Sequence, residues 1–109
     1  MAIAWLLLTG SSCALAHAHL THSSPADGEA LPLAPHALEL RFSEAAQLTA
    51  LWIQKAGEPR QKLGPYPTQS QEHLRVGLPP LTPGKYVVSW RALSADGHVA
   101  EGQLHFTID

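Results

Sequence analysis

The chain has 109 residues, 7 Lys plus Arg against 9 Asp plus Glu, and a formal net charge of −2 with no long run of either sign. That length allows one domain, and the even charge offers no evident hold to nucleic acid or to an anionic membrane surface. One Cys and one Met are present, Cys13 and Met1, so no disulfide can close within the chain and the fold must stand on packing.

Residues 1–16, MAIAWLLLTGSSCALA, carry no charged side chain, and residues 2–8 form a compact apolar run. The run is shorter than the about 20 apolar residues that span a bilayer. Ala14-Leu15-Ala16 supplies the small-x-small pattern of a signal-peptidase site, so we read residues 1–16 as a signal peptide and 17–109 as the mature domain. The positive charge usual near the start of such a segment is missing. Ala16-His17-Ala18 is a rival cleavage pattern that would leave His19 first. Cys13 reads poorly as a lipid acceptor, because Gly10 stands where a large aliphatic residue is wanted. Cleavage after Ala16 exposes His17 and removes both sulfur-bearing residues.

Residues 23–36, SSPADGEALPLAPH, are rich in Pro, Gly and Asp and read as a turn followed by an irregular connection. Residues 37–43 alternate strictly, with Leu38, Leu40 and Phe42 on one side of a half-buried strand. Residues 48–55 form a second β-compatible run, ended by Gly57 and Pro59. Residues 57–72 read as a long loop with at most a short strand. Residues 73–78 are a further candidate strand, closed by Pro79-Pro80. After a turn at Pro83-Gly84, residues 85–93 run as a long strand with Tyr86, Val88, Trp90 and Ala92 on one face. Residues 94–97 turn the chain, and 102–108 close it with Leu104, Phe106 and Ile108 together. No segment shows a 3.6-residue apolar period. Six or seven short strands between Pro/Gly turns predict an all-β, antiparallel sandwich of immunoglobulin-like shape.

Seven histidines are present, and His17, His19 and His22 crowd the mature N-terminus. An N-terminal His offers two nitrogens, its α-amine and its imidazole, which close a chelate ring on one metal ion. The α-amine has a pKa near 8, so a cation readily displaces its proton at neutral pH. A second polar cluster lies in Asp96-Gly97-His98. Residues two apart in extended chain project to one side, so one carboxylate and one imidazole can meet the same ion. Asp-Gly is also an ordinary turn dipeptide, and Asp96 reads equally well as a turn residue.

The start His17-Ala18-His19-Leu20 with Ser24-Pro25-Ala26-Asp27-Gly28, the strand 38–44, and the phrase Ser89-Trp90-Arg91-Ala92-Leu93-Ser94-Ala95-Asp96-Gly97-His98 with Gly102 and Phe106 resemble the CopC family of periplasmic copper proteins. The resemblance is colinear from His17 to Ile108. It implies a Greek-key β-sandwich or barrel of about seven strands and a periplasmic location. It also implies a Cu(II) site of one ion, built from the amine and imidazole of His17 with Asp96 and His98. A CopD-type inner-membrane protein is the partner it implies. Some members bind Cu(I) through a methionine-rich loop. Here no Met or Cys survives processing, and thioether and thiolate are the ligands that suit Cu(I). Composition alone therefore predicts a Cu(II)-only protein. Nitrogen and oxygen donors in a tetragonal plane suit Cu(II), which tops the divalent affinity order.

His17-Ala18-His19 also permits a different chelate, in which the amine, two deprotonated amides and the His19 imidazole share one ion. In the folded domain Leu20 is expected to hold these amides in a strand, leaving His19 beside the site. His22, His36, His73 and His105 read as surface or strand residues, and Trp90 and Phe106 as core. The leading function is a monomeric copper carrier or buffer without catalysis. A copper monooxygenase with an N-terminal histidine and a metal-free structural sandwich are the competing readings.

Overall fold

The computed structural model describes residues 18–109, and His17 and the segment before it lie outside the described residues. Among the described residues every regular element is a strand: β1 (Leu20–Ser24), β2 (Glu29–Leu31), β3 (Ala37–Lys55), β4 (Gln61–Lys62), β5 (Gln71–Gly77), β6 (Gly84–Ser94) and β7 (Val99–Ile108). They form one curled seven-stranded sheet in the order β1-β3-β6-β7-β2, with β4 and β5 also paired to β3.

The long strand β3 organises the rest. Its first half pairs with β1 and β5, and its second half with β4 and β6. The change of partner falls at residues 43–46, where pairing with β5 is interrupted after Arg41 and Ala46 meets both Gln71 and Ser94. The two runs expected at 37–43 and 48–55 are thus one strand. No Gly or Pro stands between them, so nothing in residues 43–48 forces the chain out of extended form.

Both halves of β3 bury one face in a single core. Leu38, Leu40, Phe42, Ala46 and Leu48 are inward at even positions, while Leu51 and Ile53 are inward at odd ones. A one-residue shift explains the change of phase. Leu48 pairs with Ala92 but Ala50 with Arg91, so the residue between, Thr49, is a bulge. A bulge moves every later side chain to the opposite face, which keeps the apolar set inside. The Thr49 hydroxyl donates to the Arg91 carbonyl at 3.2 Å within this irregular stretch.

From β6 come Tyr86, Val88, Trp90 and Ala92, and from β7 Leu104, Phe106 and Ile108, all inward as their alternation requires. Each large apolar side chain so buried contributes roughly 1.5–3 kcal/mol. With one Cys in the chain, these layers carry the stability. Phe42 meets Trp90 edge to face at 5.2 Å, and Tyr86 stacks on Phe106 at 5.3 Å.

Further details depart from the sequence reading, among them the start of β7 at Val99 where 102 was expected. The region 23–36 is not wholly irregular: it holds β2, which pairs parallel with β7, Glu29 opposite Phe106 and Leu31 opposite Ile108. Three residues are too few to show an alternation, and the pairing is imposed from outside. The Gly28 amide donates to the His105 carbonyl at 2.6 Å, and the His105 amide donates to the Asp27 carboxylate at 2.7 Å. β5 also starts at Gln71, two residues earlier than expected, because β3 offers a partner there.

Candidate metal centre

Ser94 ends β6 and Val99 begins β7, so Asp96 and His98 sit on the hairpin loop that joins them. The Ser94 amide donates to the His98 carbonyl at 2.9 Å, and the Gly97 amide to the Ser94 carbonyl at 3.0 Å. This is a turn on Ala95 and Asp96 followed by a residue in the left-handed region, a common three-residue hairpin. Gly97 takes that place with φ +87°, and a Cβ there would meet nothing within 4 Å. Backbone conformation, not crowding, asks for glycine at 97.

The loop draws the two expected donors together. His98 Nδ1 stands 2.9 Å from Asp96 Oδ2, and the His98 backbone amide donates to Asp96 Oδ1 at 3.2 Å. The Ser94 hydroxyl, on a residue only 4% exposed, donates to that same Oδ1. The hydroxyl also lies 3.0 Å from the His98 carbonyl. It has one proton, and the carboxylate is the stronger acceptor. Led by the Ser94 hydrogen bond and followed by those from His98, these contacts hold the Asp96 carboxyl well below the usual carboxylate range. Asp96 is therefore an anion wherever the protein is folded near neutral pH. With Nδ1 facing the carboxylate, a neutral His98 carries its proton on Nδ1 and its lone pair on Nε2.

The stretch of β3 where its partners change, a corner at residues 43–46, also holds the first described residues of the chain. Ala18 is buried in the core at 1% exposure. The next residue, His19, is tied twice to Ser43: its amide donates to Ser43 Oγ at 3.1 Å, and the Ser43 amide donates to the His19 carbonyl at 2.8 Å. Three residues on, Ala46 pairs with Ser94. The β3 residues that hold His19 and Ser94, Ser43 and Ala46, are thus about 10 Å apart along one strand. The expected strand anchor is present, with Leu20 opposite Phe42.

Among the described residues no three His, Cys, Asp or Glu side chains gather at one point. Asp96 and His98 form a two-donor cluster, and His17 lies outside the described residues. One carboxylate and one imidazole suit Cu(II) as part of a larger donor set. The sequence reading assigned no role to Ser43 or Ser94. The one local signal was spacing, since a Ser two residues before an Asp in a turn can bond to it.

The remaining histidines lie on the surface. His73 Nε2 is 3.5 Å from Glu39 Oε1, which also faces Arg75 at 3.9 Å, and His105 Nδ1 is 3.3 Å from Asp27 Oδ1. The arginine beside Glu39 disfavours a cation there. His22 and His36 are exposed. Trp90 and Phe106 are core, as expected.

Fold and loop together define a class: a small all-β domain with an acid–imidazole pair on one hairpin, next to its anchored N-terminal segment. A family model, the CopC domain, matches residues 20–109. The chain belongs to the CopC family. It is 36% identical to Protein YobA of Escherichia coli (strain K12) over 98 residues, 85% of this chain and 79% of that protein. It is 31% identical over 108 residues to Copper resistance protein C of Pseudomonas syringae pv. tomato, covering 90% and 85% of the two chains. Among solved structures, CopC from Methylosinus trichosporium OB3b superposes with TM-score 0.73 at 28% identity, over 85% of this chain and 94% of that one. PcoC, a methionine-rich copper resistance protein from Escherichia coli, does so with TM-score 0.68 at 29% identity, over 86% and 100%.

Proposed function

We propose that this protein binds one Cu(II) ion in the periplasm and acts as a copper carrier or buffer in copper homeostasis or resistance. Its ligands are the α-amine and imidazole of His17, exposed by cleavage after Ala16, together with Asp96 and His98. The observation that carries this reading is the shared corner of β3. His19 is fastened at Ser43, and Ser94, which leads into the Asp96/His98 loop, pairs with Ala46.

Family membership supports copper as the metal, since the named relatives include copper resistance proteins. Composition supports the oxidised ion. PcoC is a methionine-rich protein, whereas Met1 is this chain's single methionine and falls within the predicted signal peptide. Oxygen and nitrogen donors, one of them an anion held ionised by its neighbours, match Cu(II). A CopD-type inner-membrane protein is the partner that the resemblance suggests.

We read no catalytic step. A copper monooxygenase acting on a polymer would present aromatic rings on a flat face. Phe42, Tyr86, Trp90 and Phe106 are buried here, and Arg60 covers Trp52 at 4.3 Å.

The test is a copper titration of protein whose N-terminus has been sequenced as His17. One tight Cu(II) equivalent is expected, and a chain extended by even a short tag should bind far more weakly because its amine is displaced. Failure of the His17 form to take one equivalent sinks the proposal.

A further inference from the structure

Once His17 is the first residue, the folded domain has two ways to hold Cu(II). In the one proposed above, His17 joins Asp96 and His98. In the other, the copper takes the amine, the Ala18 and His19 amide nitrogens and the His19 imidazole. The second needs nothing from the fold. Two amide N–H bonds break, their protons pass to water, and two Cu–N bonds form, with copper remaining Cu(II). Four nitrogens in a plane are a strong set for this ion, so a folded domain that uses Asp96 and His98 must hold the amides back.

The structure holds one of them directly. The His19 amide is committed to Ser43 Oγ at 3.1 Å, and the His19 carbonyl accepts from the Ser43 amide at 2.8 Å. Both peptide groups of His19 are thereby fixed against one residue of β3. Ala18, whose amide would be the other donor, is 1% exposed, so its side chain must leave the core before its peptide group can turn toward a metal. The Ser43 hydroxyl is an unusual partner at this point. Leu20 is the first residue of β1, and the ladder to β3 is irregular after it, with a shift between Leu20 and His22. At the frayed end of that ladder a side chain, not a backbone carbonyl, takes the His19 proton.

We propose that Ser43 biases the protein against the amide mode: by accepting a hydrogen bond from the His19 amide it makes that nitrogen harder for the ion to take and so favours Cu(II) at the loop of Asp96 and His98. The proposal rests on the site reading above. Ser43 acts through His19 and is a positioning residue, not a ligand.

The experiment measures Cu(II) affinity by competition with a chelator, in protein verified to begin at His17. In a D96A/H98A background the loop donors are gone, and residual binding relies on the amide mode. Adding Ser43→Ala there should raise affinity about fivefold, the weight of one exposed hydrogen bond that copper no longer has to break. Adding Ser43→Thr, which keeps the hydroxyl, should leave it unchanged. His19→Ala should abolish the gain, which separates loss of the tie from a general loosening of the domain. The copper spectrum of the Ser43→Ala triple variant should match that of a synthetic peptide of residues 17–22. A Ser43→Ala change that leaves residual affinity within twofold, or lowers it, overturns the proposal. If D96A/H98A binds copper as tightly as the unmodified protein, the Asp96/His98 site itself falls, and the Ser43 proposal with it.

Discussion

Trp90 and Gly102 face each other across β6 and β7, and the indole lies on the glycine so closely that a Cβ there would stand 2.8 Å from Cζ2. Trp90 is 5% exposed and also meets Phe42 edge to face. Its Nε1 is buried with no hydrogen-bond partner among the described residues, so apolar packing alone holds it. Gly102 is therefore a space-making residue for the largest side chain of the core.

Gly102→Ala should destabilise the domain. Alanine in a strand gains about 0.5–1 kcal/mol over glycine, but forcing a methyl group into a filled core costs about 1–3 kcal/mol. The second term wins, for a net loss of about 1 kcal/mol or more. Chemical denaturation followed by Trp fluorescence checks this, and an unchanged or raised midpoint would contradict the packing argument.

Asp96→Ala and His98→Ala should each lower Cu(II) affinity by at least about tenfold in protein that begins at His17, since each removes a proposed ligand. Both variants should stay folded, because the side chains sit on an exposed loop, with Asp96→Ala melting modestly lower since it gives up the hydrogen bonds from Ser94 and His98. Loss of affinity without loss of fold is the expected pairing. A titration and a melting curve on the same sample measure both.

Ser94→Ala should weaken copper binding about tenfold although Ser94 is no ligand, because its buried hydroxyl orients the Asp96 carboxylate. The same change removes the leading cause of the low Asp96 pKa, so that carboxyl should titrate closer to the ordinary aspartate value of 3.8. A carbon-detected NMR titration of Asp96 in the copper-free protein reads the shift directly.

The Asp27–His105 tie predicts an acid-sensitive contribution. Hydrogen bonds from the His105 amide first, and then from its ring, lower the Asp27 pKa from 3.8. A carboxylate with a depressed folded pKa stabilises the native state above the unfolded value and loses that contribution as pH falls through the folded one. Asp27→Ala should therefore melt at a lower temperature than the parent near neutral pH. The difference should shrink as pH falls below 3.8. The two carboxylate-linked residues are exposed, so the effect is modest.

Much of the domain was legible in the chain itself. Period-two alternation at 38–42, 86–92 and 104–108 marked the inward faces, and every residue named there is buried. Alternation is a local property: each strand residue declares its face relative to its neighbours, whatever it later pairs with. Asp96 and His98 were legible for the same reason, since one turn joins them and one glycine at positive φ lets them meet.

What the chain could not declare was set by contacts between distant residues. The corner at 43–46 exists because β5 stops pairing with β3 where β6 starts. The phase change in the second half of β3 comes from a bulge against β6, which appears in sequence only as Leu48 and Leu51 being out of step. β2 is a strand because β7 accepts it, and Asp27 finds His105 from 78 residues away. Ser43 holds the His19 amide across 24 residues. Composition and periodicity thus decided that the chain folds as β-strands around one apolar core, and the predicted cleavage leaves it no sulfur. Only the assembled sheet decided which serines stand against His19 and Asp96, because a hydroxyl acquires a role from the backbone brought against it.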